Sequence, residues 1–378
     1  MRKNFYPFML EREMGIWEHQ VKYNLSESGV HPMSVAELLG EDPKLIEEFL
    51  AQEINYPQTN GSIELRERIA ALYPGATLDD ITVTTGAAQA NFTSVLTTLD
   101  PGDEIVVMLP NYMQIWGLAK NLNLKVKTFS LKEELGWGFD LDEFRATVSK
   151  DTRLIAVCNP NNPTGHIMTA EETQAVIDAA ADVGAWILSD EVYAGAEHHT
   201  DEVTRSMWGQ YERVLAIGSM SKAYALPGLR LGWVVSNAEM AEAIWARQDY
   251  ITISATMLAN KLAAHALLPE VRERIVMRTR EYARRGLSNL QRWVAAHDEL
   301  LSLIPPQAAA IGFVNYNSQI NSSELVKRLI NEQQTYAVPG DHFGMDGYLR
   351  ISYGLSDDYV NEGLRRIYAV LSTVAQPA

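Results

Sequence analysis

Between Ile81 and Gly218, short β-branched and aliphatic runs alternate with longer stretches of helical periodicity, a pattern that few folds accommodate. Ile81–Thr85, Glu104–Met108, Lys125–Phe129, Thr152–Val157, Trp186–Ser189 and Val214–Gly218 read as strands. Helices are expected from Gly86 through Leu99, over Tyr112–Leu122 and Phe139–Val148, and from a Thr169 cap, with Glu172 as capping-box partner, to about Gly184. Strands separated by helices need right-handed crossovers, so the expected fold class is α/β, a mainly parallel sheet flanked by helices. Such sheets bind ligands beyond the carboxyl ends of their strands.

At 378 residues the chain exceeds the size at which one core keeps growing. Residues 6–22 have the rhythm of a helical arm, and 238–295 are rich in helix formers. From Pro305-Pro306 a smaller α/β piece follows, with strands near 312–314, 335–338 and 348–353, a turn at 339–344, and helices over 322–331 and 357–371. The expected division is an arm that belongs partly to the small domain (1–40), a large domain (41–284) and a small C-terminal domain (285–378).

Charge narrows the partners. With 32 Lys and Arg against 48 Asp and Glu, the formal net charge is −16, which repels a polyanion, so nucleic acid is not expected as a partner. The one cysteine, Cys158, closes an apolar run and reads as a small buried side chain. Charges interrupt the N-terminal MRKNFYPFMLEREMG, and no apolar stretch has membrane-spanning length, so a cytoplasmic protein without membrane association is expected.

Four loop clusters fall at the ends of the expected strands: Gly86-Ala87-Ala88, Asn159–Gly165, Asp190–Tyr193 and Ser219–Arg230. In the last, Ser219, Ser221 and Arg230 suit a phosphate, because hydroxyls donate neutral hydrogen bonds and a guanidinium offers a charged planar fork. Lys222 among them is a phosphate clamp, a nucleophile toward the aldehyde of a phosphate-bearing cofactor, or an ordinary surface lysine. Gly86-Ala87-Ala88 at a helix start is either a second phosphate seat or a place of close helix packing.

Together and in this order, these clusters resemble the fold type I, class I/II aminotransferase family of pyridoxal 5'-phosphate (PLP) enzymes, from Tyr56 to about Arg350. The resemblance implies that Lys222 holds the cofactor as a Schiff base and shuttles the α-proton through a quinonoid intermediate. It implies that Asp190 faces the pyridine nitrogen, that Asn162 and Tyr193 bond the ring's phenolic oxygen, and that Tyr112 stacks on the ring. Gly86, Ala87, Ala88, Ser219, Ser221 and Arg230 would surround the phosphate, and Arg350 would fork the substrate carboxylate, with Gly29 and Asn162 lining the same place. Tyr56 resembles the residue that reaches the phosphate of a neighbouring subunit, which implies a homodimer. The implied substrates are an L-amino acid and a 2-oxo acid, and no metal is implied.

The segment Ser26-Glu27-Ser28-Gly29-Val30-His31 departs from the family's usual Gly-Glu-Pro-Asp-like run and looks more like the capreomycidine synthase branch, whose members use the same chemistry for elimination and cyclisation. Transamination is the leading expectation; a PLP-dependent lyase or cyclase is the alternative, and a non-catalytic PLP-fold sensor a third. His31 is either a pocket residue or a polar turn residue. No second arginine is assignable to a distal carboxylate, so the side chain of the substrate stays open.

Overall fold

The structure, a computed structural model, describes residues 5–40 and 42–374. Residues 1–4, 41 and 375–378, at the edges of the three expected domains, lie outside the described residues.

Strand β1 (Tyr23–Asn24) lies in the N-terminal segment, and eight further strands form the main sheet. These are β2 (Ile81–Thr84), β3 (Glu104–Leu109), β4 (Lys125–Lys132), β5 (Gly138–Phe139), β6 (Thr152–Cys158), β7 (Trp186–Asp190), β8 (Val214–Ser219) and β9 (Gly232–Val235), in the spatial order β2-β9-β8-β7-β6-β3-β4-β5. The five strands β8, β7, β6, β3 and β4 run parallel, as expected. β9 is antiparallel to both β8 and β2, because the chain turns back through residues 220–231 rather than crossing over a helix.

Alternate residues of the central strands face two different cores. Val106, Ile155, Ile187 and Ala216 pack on one face, and Ile105, Leu154, Leu188 and Leu215 on the other. A sheet covered on both faces needs continuous apolar strands, which is why these runs do not alternate in polarity. Each fully buried aliphatic side chain contributes roughly 1.5–3 kcal/mol.

The Thr169–Glu172 capping box is present, and other helices are capped by side chains or by glycine as well. Ser34 with Glu37 and Thr169 with Glu172 form capping boxes, Asp42 and Ser62 cap the helices Pro43–Leu50 and Ile63–Ala70, and Gly184 ends Ala170–Val183 in a left-handed conformation. Two helices start later than expected. Tyr112 N–H bonds Asn111 Oδ1 at 2.6 Å, which holds Tyr112 out of a helix that begins at Gln114. Phe139 pairs with Leu131 as part of β5, and Asp140 caps a helix that begins at Leu141.

The C-terminal region carries a four-stranded antiparallel sheet of β10 (Leu301–Ser302), β11 (Ile311–Tyr316), β13 (Val338–Pro339) and β14 (Tyr348–Ser352). The expected strand over 335–338 is two strands, because Thr335–Tyr336 (β12) pairs in parallel with β1 whereas β13 pairs with β14. The helix Pro269–Ala295 runs unbroken from the large-sheet region to this part. No helix of the described residues is long and apolar enough to cross a membrane.

Candidate active site

The adjacent strands β8, β7, β6 and β3 end on one side of the main sheet, and their following loops enclose a cavity of about 420 Å³. Lys222, Ser219, Ser221, Asp190, Tyr193, Asn162, Tyr112, Ala87, Ala88, Arg230 and Arg350 line it. The sequence clusters are therefore brought together, with Arg350 delivered from β14 of the other sheet.

One end of the cavity is a set of donors. Ser221 N–H and Ser221 Oγ both lie 3.0 Å from Ser219 Oγ, and Arg230 Nη1 reaches Ser221 Oγ at 3.5 Å and Pro227 O at 3.0 Å. The helix Gly86–Thr98 begins beside them without a side-chain cap, so its first N–H groups lack intrahelical acceptors. Gly86 has φ +77°, and a Cβ there would stand 2.6 Å from Arg230 Nη2. The left-handed backbone favours glycine there, and the Arg230 guanidinium lies close over it.

Deeper in, Asp190 ends β7 and is buried. Asn91 Nδ2 donates to Asp190 Oδ2 at 2.9 Å and the Val192 N–H to Oδ1 at 3.3 Å, so the carboxylate is fixed in direction. Burial raises its pKa, against the pull of these donors and of Lys222. Burial likewise raises the Tyr193 phenol. Tyr112 packs edge-on to Phe8, with ring centres 4.9 Å apart, and its hydroxyl donates to Glu11 Oε1 at 2.6 Å. Burial, with Glu11 beside it, pushes this phenol up as well.

Lys222 Nζ donates to Glu27 Oε1 at 2.8 Å. The lysine drives the Glu27 pKa down to about 2, against its burial. Burial pulls the Lys222 ammonium down, but Glu27 and Tyr193 outweigh it and the net shift is upward. Arg350 is fully buried: Nη1 donates to Asn162 Oδ1 at 3.1 Å, Nη2 to the Ser26 carbonyl oxygen, and Nε has no partner. A buried guanidinium with one N–H unanswered suits an incoming carboxylate.

Tyr56, His31 and Gly29 do not line the cavity. Tyr56 is 81% exposed. His31 is exposed, its ring stacked 6.4 Å from that of Tyr282, so the polar-turn reading is the one the structure supports. A Cβ on Gly29 would meet Ser221 O at 3.5 Å, an ordinary contact, so Gly29 lies near Lys222 without being required there by space. Sequence reasoning gave no role to Glu27, Asn91 or Gln114. Gln114 Nε2 holds the Ala88 carbonyl at 2.7 Å and its Oε1 accepts from Asn91. Glu27's place in a segment that departs from the family pattern was the one available signal.

Residues 44–367 match the profile of the family described as aminotransferase class I and II. The chain belongs to this family. It is 28% identical over 359 residues to the capreomycidine synthase of Streptomyces vinaceus, covering 94% of this chain and 92% of that one. It is also 28% identical over 338 residues to an aspartate aminotransferase of Streptomyces avermitilis, covering 84% and 81%. Among solved structures, a PLP-dependent aminotransferase from Streptococcus suis superposes with a TM-score of 0.92 at 27% identity over all of both chains. The fold is therefore that of fold type I PLP enzymes, the chain is a PLP-dependent transferase, and its cofactor is pyridoxal phosphate. The cavity suits this group: the Ser219–Ser221–Arg230 donors and the glycine-floored helix start match a phosphate, the fixed Asp190 carboxylate a cationic ring nitrogen, and the Lys222 amine an aldehyde.

Proposed function

We propose that this aminotransferase moves an amino group between an L-amino acid and a 2-oxo acid, with PLP tethered at Lys222. The observation that carries the reading is the convergence of Lys222, Asp190, Arg230 and Arg350 on one cavity from separate parts of the chain. When bound, PLP supplies an aldehyde that links to amines and a ring that draws electrons from the bonds at the substrate's α-carbon.

The residues supply the rest. Arg350, aimed by Asn162 and the Ser26 carbonyl and lining the cavity, would receive the α-carboxylate and so orient the bonds at the α-carbon. Lys222 Nζ takes the α-proton and returns it. Asp190, held by Asn91, would favour a proton on the ring nitrogen of the bound cofactor. Tyr193 and Asn162 would bond the ring oxygen of the bound cofactor, Tyr112 would lie against its ring, and Gly86, Ala87, Ala88, Ser219, Ser221 and Arg230 would hold its phosphate.

Tyr56 completes the site of a second copy, making the active unit a homodimer that works in the cytoplasm. Its exposure, alongside that of Leu50 and Ile54 in the same stretch, supports this reading. Sedimentation of the holoenzyme should give twice the 42.2 kDa chain mass.

Incubating holoenzyme with single L-amino acids and no acceptor tests the reaction. About one 2-oxo acid should form per cofactor, with turnover resuming when a second oxo acid is added. Continuous release of ammonia or of a cyclised product would instead favour elimination or cyclisation, a second reading supported by Glu27 in the cavity and by the similarity to capreomycidine synthase.

A further inference from the structure

We propose that Glu27 is a positioning residue for Lys222: it holds Nζ inside the cavity and favours a proton on that nitrogen, both in the free amine and in its link to the cofactor. The inference rests on the reading that Lys222 carries PLP.

The geometry is that of a built contact. Glu27 Oε1 accepts from Lys222 Nζ at 2.8 Å and, on the same oxygen, from the N–H groups of Ser28 at 2.8 Å and Gly29 at 3.2 Å. Two backbone donors from its own loop thus fix the carboxylate against the lysine. The loop is itself tied down. Asn24 Oδ1 accepts from Ser26 N–H at 3.0 Å and Ser26 Oγ at 2.7 Å, Leu25 N–H donates to Tyr336 O at 2.7 Å, and Ser352 N–H donates to Leu25 O at 2.8 Å. The same loop offers the Ser26 carbonyl to Arg350, so one segment sets both the lysine's partner and the carboxylate fork.

The charges around Nζ make Glu27 decisive. Burial and the Arg350 guanidinium both disfavour a positive nitrogen there, whereas Glu27 and Tyr193 favour it. Asp190 also feels the lysine's charge but is committed to Asn91 and Val192. Across the cavity, Arg230 sits with the serine donors, Glu11 is taken by Tyr112, and Glu18 lines the wall. Cys158 and Tyr112 are kept neutral by burial. Glu27 is therefore the carboxylate in direct contact with Nζ. After the lysine has accepted the α-proton, the same carboxylate holds the resulting ammonium, which makes Lys222 a stronger base than its buried position alone would allow.

Glu27→Gln keeps an oxygen for the Ser28 and Gly29 N–H groups and removes the charge. The test is a pH titration of the visible absorption of substrate-free holoenzyme, for wild type, Glu27→Gln and Glu27→Asp, with borohydride trapping of the wild type first. The Gln variant should titrate at least about one pH unit lower than wild type, with Asp in between, since an opposite charge at this range shifts a pKa by about 1–3 units. The acid limb of the kcat profile should move the same way. Identical inflections in wild type and Gln variant, with the cofactor trapped on Lys222, would overturn this inference alone. Absence of trapping at Lys222 would overturn the functional reading and this inference with it.

Discussion

Arg350 shows how far a single side chain can specify a substrate. Two of its nitrogens are spoken for by Asn162 and Ser26, and the ring of Phe343 lies 5.5 Å from its guanidinium carbon, so the fork cannot turn to suit another ligand. Lysine could replace the charge but not the fork. Arg350→Lys should lower kcat/KM by ~10²-fold, from loss of a bidentate contact of about 3 kcal/mol. Steady-state kinetics on the best amino acid checks it, and an unchanged kcat/KM would remove Arg350 from the substrate site.

Lys222, Asp190, Arg230 and Arg350 could be singled out in the sequence because each lies in a short stretch that resembles a family motif, and the fold brings all four to one cavity. Glu27 and Asn91 were not, because their partners lie far along the chain: Glu27 contacts Lys222 across 195 positions and Asn91 contacts Asp190 across 99. Only the folded sheet and the anchored N-terminal segment create those pairs.

At the scale of elements, periodicity and caps located nearly every strand and helix, while the pairing partners of short strands escaped. β1 and β12 are two residues each, too short for a pattern, and their pairing is fixed by the helices around them. The reversal of β9 comes from the loop that carries Lys222 and Arg230. The helix Pro269–Ala295 poses a sharper case at Gly286, which lies inside a helix, where alanine is normally better by about 1 kcal/mol. Here a Cβ would overlap the Tyr353 carbonyl, only 1.8 Å away. Gly286→Ala should therefore destabilise the protein, by about 1–3 kcal/mol as overpacking does. Chemical denaturation measures it, and a stabilised variant would mean that the helix and the segment after β14 are not in contact.

At the scale of the whole molecule, stability should carry the signature of a buried acid outside the cavity. Glu191 follows Asp190, is buried, and accepts from Met207 N–H at 2.9 Å. Burial lifts its pKa from the ordinary 4.5 to about 7, against the pull of Ser206 and Met207. The folded carboxyl thus keeps a proton that the unfolded chain has lost. Its contribution is greatest below pH 4.5 and declines as pH rises through the window to about 7, by up to about 3 kcal/mol. Glu191→Gln retains an acceptor for Met207 and removes the titration, so wild type should lose stability relative to the variant between pH 5 and pH 7. Parallel denaturation midpoints across that range would show that Glu191 stays ionised in the folded protein.

The roles assigned to the cavity residues depend on the attachment of PLP at one amine of the β8–β9 loop. Reduction of the purified holoenzyme with borohydride, followed by peptide mapping, tests that attachment most directly. The expected result is one phosphopyridoxyl group per chain, on the peptide that contains Lys222; a label on another lysine, or no label at a full cofactor load, would contradict it.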